Sequence, residues 1–272
     1  MCGICGFNWE DKALVRKMAD SIRHRGPDDD GYYIEKGISL GSRRLSIMDL
    51  SKKGKQPIFN EDRSICIVFN GEIYNFQEIK PELEKKGHRF YSHTDTEVIV
   101  HAYEEYGEKC LNYLNGMFAF AIWDTNKKQL FIARDRLGKK FLYYYYKDNK
   151  FLFASEIKAL LQYDGIKREM DQAALSQLIT WAYTIDGSTL FKNIHELKPG
   201  HYMIYDGSSV KISKYWDLQD KLRVIKSPKD ESYYVKKLRE LLIDSVKIRL
   251  ISDVPLGASL SGGIDSSLIV GI

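Results

Sequence analysis

The sequence predicts an α+β fold, followed by the first elements of an α/β domain. Three observations support this prediction. Apolar residues recur at helical spacing in several early segments, and four short strand-like segments follow one another between residues 117 and 154. Near the end, a predicted strand leads through a glycine-rich loop into a helix. The 272 residues suffice for one large domain or two smaller ones.

The elements of the first part alternate between helical and strand periodicity. Leu14, Met18 and Ile22 lie on one face of the first helix, which ends at Gly26-Pro27. In chain order we predict a helix over 12–24, two strands over 32–49, a strand over 64–69 that ends in a tight turn at Asn70-Gly71, helices over 76–87 and 94–106, antiparallel strands joined by short turns over 117–124, 129–134, 141–146 and 150–154, helices over 155–161 and 171–183, and a hairpin of 201–205 with 210–215.

The second part begins after a charged segment, residues 217–230, that is typical of a linker. We predict a long amphipathic helix over 231–250, a strand over 254–259, and a helix that begins after Ser267.

Composition excludes several classes of protein. Net charge is +4 and the charges are dispersed, so the sequence predicts neither a nucleic-acid partner nor a membrane surface. The longest apolar runs, such as 117–123, are too short to span a bilayer, and an apolar signal segment is absent after Phe7. The four cysteines form no metal-ligand pattern, so we predict no metal site and reduced thiols in the cytoplasm.

Cys2 is the first candidate for chemistry. If Met1 is removed, the thiol and the free α-amine belong to one residue, and an α-amine titrates at about 7.7–8.0. Such an amine can act as the base for its own nucleophile, and Gly3 allows a substrate to approach. The alternative is a small buried cysteine in a first strand, Gly3 to Phe7.

Asn70-Gly71-Glu72 is the second candidate. An amide side chain and a glycine N–H could donate to the oxyanion that forms when a nucleophile attacks an amide. The alternative is an ordinary hairpin turn.

Arg44, in an otherwise apolar strand, could bind a carboxylate with two hydrogen bonds, or it could be a surface arginine. Asp95 could hold an ammonium group, cap a helix, or do both.

Two further segments carry polar groups. His24, at a helix end, suits loop positioning better than general base catalysis. Residues 261–267, Ser-Gly-Gly-Ile-Asp-Ser-Ser, combine glycines, hydroxyls and a predicted helix N-terminus, which together bind anions. This loop has no lysine, so it differs from the P-loop and suits pyrophosphate release.

Together these motifs resemble a known family. The sequence is similar to glutamine-hydrolysing asparagine synthetase in segments 2–6, 24–28, 44–49, 69–75, 95–97, 116–120, 133–136, 155–160 and 261–267, which occur in that family's order. The first motif alone would fit any class II glutamine amidotransferase, whereas its combination with the 261–267 loop is specific to the asparagine synthetase-like branch.

The resemblance implies a four-layer αββα N-terminal nucleophile hydrolase sandwich over 2–210, a linker over 211–230, and the beginning of an ATP-pyrophosphatase-type synthetase domain over 231–272, which would be incomplete. It implies the following roles: Cys2 as nucleophile; Asn70 and Gly71 as oxyanion hole; Arg44, Ile47, Asn70, Gly71, Glu72 and Asp95 as glutamine-binding residues; and Ser261, Gly262, Gly263, Asp265 and Ser266 as ATP-binding residues.

The resemblance also implies partners and leaves alternatives open. The substrates would be L-glutamine, ATP and L-aspartate, with Mg²⁺ to neutralise the ATP phosphates, and a homodimer is one assembly to test. Ser42 and Phe141 depart from the family's usual His and Pro. The chain could instead belong to an amidotransferase of surface-polysaccharide synthesis, or be an inactive fragment that acts as a binding module.

Overall fold

The computed structural model describes residues 2–222 and 229–272, and divides the chain into two compact units. The first unit ends at Asp217 and the second begins at Leu218. The predicted linker falls partly on 223–228, which lie outside the described residues. Within the described part of the chain, every helix is either too short or too polar to cross a membrane.

The first unit contains two six-stranded antiparallel sheets among its described residues. Sheet A has the order β10-β8-β9-β1-β3-β2, with β1 (Gly3–Phe7), β2 (Asp29–Glu35), β3 (Ile38–Arg44), β8 (Tyr143–Lys147), β9 (Lys150–Ala154) and β10 (Ile194–Glu196). Sheet B has the order β12-β11-β7-β6-β5-β4, with β4 (Ile58–Phe59), β5 (Ile65–Ile73), β6 (Gly116–Asp124), β7 (Gln129–Arg134), β11 (His201–Tyr205) and β12 (Val210–Lys214).

The first four of the five α-helices described in this unit cover the outer faces of the sheets. The α-helices are α1 (Lys12–Ser21), α2 (Phe76–Lys85), α3 (Asp95–Tyr106), α4 (Ile157–Leu160) and α5 (Gln172–Trp181), and short 3₁₀ helices occupy Arg23–Arg25, Lys52–Gly54 and Gly107–Asn112. A further 3₁₀ helix, Gln219–Lys221, belongs to the second unit. Asp11 and Asp171 cap α1 and α5 by accepting hydrogen bonds from backbone N–H groups.

Three apolar clusters define the layers. Ile4 and Leu40 of sheet A meet Val68 and Ala121 of sheet B in the cluster between the sheets. A second cluster packs α2 and α3 on sheet B, and a third packs α1 and α4 on sheet A. This is the four-layer αββα sandwich that the sequence resemblance implies, so the predicted fold class is confirmed.

Two predictions about the first unit were wrong in detail. The strands between 117 and 154 do not form one run, because β6 and β7 belong to sheet B whereas β8 and β9 belong to sheet A. Asn70-Gly71 is not a turn: β5 continues through both residues, which pair with Ala119 and Phe118 of β6. Glycine is required at 71 by close approach, because a Cβ there would lie 2.3 Å from the carbonyl oxygen of Met117.

The second unit consists mainly of two helices, α6 (Glu231–Lys247) and α7 (Ile264–Gly271). The strand predicted at Val254–Ser259 is not formed; residues 251–263 contain no strand. Pro255 lacks the N–H that a ladder needs, and the described residues of this unit include no strand with which the segment could pair.

Candidate active site

A cleft in the first unit gathers most of the residues predicted to bind glutamine. Its walls include Cys2, Arg44, Ile47, Gly71, Glu72 and Asp95. Leu45, Met48, Gly54, Gln56, Phe69, Thr94 and Thr96 complete them. The cleft therefore joins residues that are up to 94 positions apart in the sequence.

Cys2 lies just before β1, with its thiol against the loop that follows β3. The backbone N–H of Leu45 donates to Sγ at 3.4 Å, and Sγ lies 3.7 Å from the Leu45 carbonyl oxygen. Burial raises the pKa of this thiol; the Leu45 N–H opposes that effect, and the nearby carboxylates of Glu72 and Asp95 add to it. Because only the thiolate is a strong nucleophile, Cys2 needs a base close to its sulfur.

Arg25 and Glu156, to which the sequence motifs gave no role, help to position Cys2. Arg25 Nε donates to the Cys2 carbonyl oxygen at 2.9 Å, and Arg25 Nη1 contacts Glu156 at 3.0 Å. His24 Nε2 lies 2.8 Å from the same Glu156 oxygen, in agreement with the loop-positioning role predicted for it. Arg25 and His24 thus connect the chain start to the end of β9, a relation that no local spacing reveals.

Asn70 has a buried side chain without a hydrogen bond. It is fully buried in β5, and neither its Nδ2 nor its Oδ1 has a partner. Side chains alternate along a strand, so Asn70 shares the face of Val68, which packs between the sheets with Ile4 of β1. An orphaned buried amide costs free energy, about 1–3 kcal/mol, and such groups in native proteins often have a functional role.

The backbone of Gly71 points away from β6. Phe118, which pairs with Gly71, uses both its N–H and its C=O to bond Asp135 on the opposite side. The Gly71–Phe118 pair is therefore of the non-hydrogen-bonded type, and the Gly71 N–H faces outward. β4 pairs only as far as Ile67, so this edge of β5 is open beyond it.

Side chains, instead of a neighbouring strand, complete this open edge. The Gln56 amide accepts from the Phe69 N–H at 2.7 Å and donates to the Phe69 carbonyl at 3.0 Å. Asp95 Oδ2 accepts from the Ile73 N–H at 2.7 Å. Gly71 lies between them and presents its N–H to the same side, so the wall of the cleft carries an outward-directed donor there.

Asp95, which is buried, and Glu72, which is half-buried, form an acidic pair at the wall of the cleft. Burial raises the pKa of both carboxyls, and their mutual repulsion raises that of Asp95 further, whereas Lys140 opposes the shift of Glu72. Two carboxyls that resist ionisation in this way favour a bound cation, because an ammonium group would stabilise both charges.

Arg44 organises the loop over the cleft. Its Nη2 donates to the carbonyl oxygens of Met48 (2.9 Å) and Asp49 (2.6 Å), and its Nη1 lies 3.4 Å from that of Ser51. Only 4% of the residue is exposed. Arg44 is therefore not a surface arginine: it holds segment 45–54, which carries Ile47, against the cleft.

The predicted ATP-binding loop belongs to the second unit. Residues Ser261 to Ser266 are mostly exposed around the start of α7, and Gly262 has a φ of +82°. Ser266 Oγ donates to the Gly263 carbonyl oxygen at 3.0 Å, and Ser261 Oγ lies 3.0 Å from Ser266 Oγ. Hydroxyls and a helix N-terminus thus lie together, as a phosphate site requires.

The fold, and a cleft with Cys2 at its wall, fit the class of glutamine amidotransferases. A family model described as "Glutamine amidotransferase domain" matches residues 1–216, and the chain belongs to this family. A second model, "Asparagine synthase", matches residues 237–272.

Curated relatives include glutamine-hydrolyzing asparagine synthetase 3 of Bacillus subtilis, which is 38% identical over all of this chain and 45% of its own length. Glutamine-hydrolyzing asparagine synthetase 2 of the same organism is 41% identical over 94% of this chain and 35% of its own length. Amidase chyE of Penicillium rubens is 37% identical over all of this chain and 42% of its own length. The chain thus spans less than half the length of each of these three relatives.

Among solved structures, the glutamine phosphoribosylpyrophosphate amidotransferase of B. subtilis superposes with a TM-score of 0.59 at 18% identity. The match covers 79% of this chain and 49% of the other. At this identity the likeness establishes the shared fold.

Proposed function

We propose that the chain is the glutamine-hydrolysing part of a glutamine-dependent asparagine synthetase. The intact enzyme would release ammonia from glutamine at Cys2 and pass it to an aspartate that ATP has activated as β-aspartyl-AMP. The products would be asparagine, glutamate, AMP and pyrophosphate. The observation that carries the glutaminase proposal is the meeting, around one cleft, of a thiol, an outward backbone donor and the acidic pair Glu72 and Asp95.

In the proposed reaction, the α-amine of Cys2 accepts the thiol proton after removal of Met1, and Sγ attacks the side-chain carbonyl carbon of glutamine. The resulting oxyanion accepts hydrogen bonds from Asn70 Nδ2 and the Gly71 N–H. Collapse of this intermediate breaks the C–N bond, and ammonia leaves with a proton returned by the amine. Water then hydrolyses the thioester to glutamate and the free thiol.

Substrate binding divides between the two charged ends of glutamine. Glu72 and Asp95 would hold the α-ammonium group, and Arg44 with the loop that carries Ile47 would hold the α-carboxylate. Three N–H groups of Arg44 already face loop carbonyls, so Arg44 would act on the carboxylate partly through the loop it positions.

The ATP half of the proposal depends on the second unit. Ser261, Gly262, Gly263, Asp265 and Ser266 offer hydroxyls and backbone N–H groups that fit phosphate oxygens. Asp265 is the one carboxylate of that loop and would be its contribution to a Mg²⁺ that neutralises phosphate charge. The domain division, the aspartate acceptor, the homodimer and the cytoplasmic location remain predictions.

Glutamine hydrolysis by the purified chain tests this function. We expect equal amounts of glutamate and ammonia, and no hydrolysis by the Cys2→Ala variant. Cys5→Ala is the matched control: Cys5 lies three residues away, but burial raises the pKa of its thiol to about 12, so this variant should retain activity. Hydrolysis by Cys2→Ala would contradict the proposal. A longer form of the protein that hydrolyses glutamine but aminates a sugar instead of aspartate would contradict only the acceptor.

A further inference from the structure

On the outer side of sheet B, away from the cleft, four side chains converge. They are Glu61, after β4; His88, after α2; and His101 and Glu104, on α3. One ligand atom from each lies within 4.8 Å of every other. Their sequence spacing gave no signal, because three separate segments supply them.

We propose that these four residues form a binding site for a divalent transition-metal ion, with Zn²⁺ as the ion that fits best. Imidazole nitrogens with carboxylate oxygens are ligands that Zn²⁺ takes readily, and four protein ligands define a closed structural site. Neither the family resemblance nor the proposed glutaminase chemistry uses this cluster.

The spacing of the ligand atoms supports the proposal. His101 Nδ1 lies 3.5 Å from Glu61 Oε2 and 3.7 Å from Glu104 Oε2. His88 Nδ1 lies 3.6 Å from Glu104 Oε2 and 3.9 Å from Glu61 Oε1. A tetrahedron with ligand bonds of about 2.0–2.1 Å has edges of about 3.3 Å. These four contacts are a few tenths of an ångström longer than such an edge, whereas the remaining pairs, which lie within 4.8 Å, would have to draw closer together around one ion.

His101 supplies a second, independent observation. Its side chain is fully buried, and neither ring nitrogen makes a hydrogen bond. Its Nδ1 faces Glu61 and Glu104, and its nearest carboxylate oxygens are 3.5 Å away on both sides of the ring. A buried imidazole in this state costs free energy unless something else satisfies it, and a metal ion at Nδ1 would do so.

The outer contacts of both histidines match those of metal ligands. His101 Nε2 faces Glu97 Oε1 at 3.5 Å, and His88 Nε2 faces Glu105 Oε2 at 3.5 Å. Metal-binding histidines usually direct their second nitrogen toward a carboxylate, which fixes the tautomer. Here each histidine presents Nδ1 to the shared centre and Nε2 to a separate carboxylate.

The carboxylates are themselves held in place. Glu61 Oε1 accepts from the Arg89 N–H at 2.5 Å, and Glu104 Oε1 accepts from Asn60 Nδ2 at 3.2 Å. Glu61 and Glu104 are each about one-third exposed, which gives an ion access from solvent. Glu105 is paired with Lys86 at 2.5 Å. A dication at the centre would compensate the charges of the other three carboxylates, those of Glu61, Glu97 and Glu104.

The bound ion would fasten α3 to the two segments that precede it. Its effect is therefore structural, and it is measured by binding and stability, which are independent of glutamine hydrolysis. Metal-free protein should bind one Zn²⁺ per chain, measured by calorimetry and by elemental analysis after gel filtration. Zn²⁺ should raise the melting temperature, because a ligand that binds only the folded state stabilises it.

The titration should be made in a Cys2→Ala background, which removes the thiol of the cleft as a competing ligand. In that background, His88→Gln and Glu104→Gln should each weaken Zn²⁺ binding at least about tenfold. His24→Gln is the control, since His24 also contacts a glutamate but lies outside the cluster. Circular dichroism confirms that each variant is folded.

Binding of Co²⁺ with the visible absorption of a tetrahedral site, lost in His88→Gln and kept in His24→Gln, would support the proposal. Folded protein that binds no Zn²⁺, or binding that survives both His88→Gln and Glu104→Gln, would overturn it and leave a network of contacts between histidines and glutamates.

Discussion

Asp95 Oδ2 accepts a 2.7 Å hydrogen bond from the backbone N–H of Ile73, and this contact joins the first residue of α3 to the last residue of β5. The bond brings the Asp95 carboxyl to the edge of β5 that also carries Gly71 and Glu72. The N-cap of α3 is Thr94, so the prediction that Asp95 caps the helix was wrong; its side chain instead anchors α3 to β5 and lies at the wall of the cleft.

Asp95→Asn separates these two roles. The amide oxygen can still accept from Ile73, so we expect the variant to fold, whereas loss of the charge should raise KM for glutamine at least tenfold. Steady-state kinetics and a melting curve measure both effects. Glu78→Gln, at another acidic position in the first turn of a helix, should leave KM unchanged. An unaltered KM for Asp95→Asn would remove Asp95 from the binding site.

Glutamine binding should release protons. Burial holds the pKa values of Glu72 and Asp95 above their ordinary range, so part of the pair is protonated near neutrality, and a bound ammonium group favours the ionised form. Calorimetry of glutamine binding to Cys2→Ala, in two buffers of different ionisation enthalpy, measures the release. Proton uptake, or no exchange, would contradict this arrangement.

The raised pKa values of Glu72 and Asp95 also determine the direction in which the stability of the fold should change with pH. Because their pKa values are higher in the folded chain than in the unfolded chain, the folded state binds more protons. The contribution of these groups to the free energy of unfolding should therefore fall as pH rises through the raised values. Denaturant unfolding between pH 5 and about 8, compared between the parent chain and Asp95→Asn, measures this effect; a smaller pH dependence is expected in the variant.

Asn70→Ala should separate activity from stability. The substitution removes a buried amide that has no hydrogen bond, so stability should be kept or slightly raised, whereas glutamine hydrolysis should fall about 10²–10³-fold with the loss of an oxyanion donor. Asn60→Ala is the matched control: Asn60 Oδ1 accepts from the Ile65 N–H at 2.9 Å, so its loss should destabilise the chain by about 1–3 kcal/mol. A strongly destabilised Asn70→Ala with normal kcat would contradict the role of Asn70.

Gly71→Ala should damage both folding and activity. An added methyl group would lie 2.3 Å from the Met117 carbonyl oxygen and 2.8 Å from Phe118 Cα, so β5 and β6 would have to separate. We expect a loss of about 1–3 kcal/mol in the free energy of unfolding, measured by denaturant titration. Gly257→Ala, where a Cβ meets no atom within 4 Å, is the control and should be neutral. A Gly71→Ala variant as stable as the parent chain would contradict this prediction, because β5 and β6 would then separate without a loss of stability.

Local patterns in the sequence predicted the helices and strands more accurately than they predicted the contacts of the cleft. The period of Leu14, Met18 and Ile22 gave α1, and the turn near Gly37 gave β2 and β3, because these signals lie within a few residues of the structure they specify. The turn predicted at Asn70-Gly71 was wrong, although this dipeptide usually signals a turn. Glycine is needed at 71 because β6 passes close to it, and this contact is seen only in the folded sheet.

The contacts missed from the sequence are all long-range. Gln56 completes the edge of β5 across 13 residues, and Arg25 reaches Glu156 across 131. The resemblance included Arg25 and Glu156 in its motifs but gave neither a role, and Gln56 lies in no motif. The metal cluster likewise draws on three segments, of which only α3 supplies two ligands, His101 and Glu104, at i and i+3.

The central claim is that Cys2 acts as an N-terminal nucleophile, and intact mass measured with glutaminase activity on one purified sample tests it most directly. We predict a mass lower by one methionine together with release of glutamate from glutamine. Full activity in chains that retain Met1 would contradict the claim, because the α-amine of Cys2 would then be tied in a peptide bond and could not serve as the base.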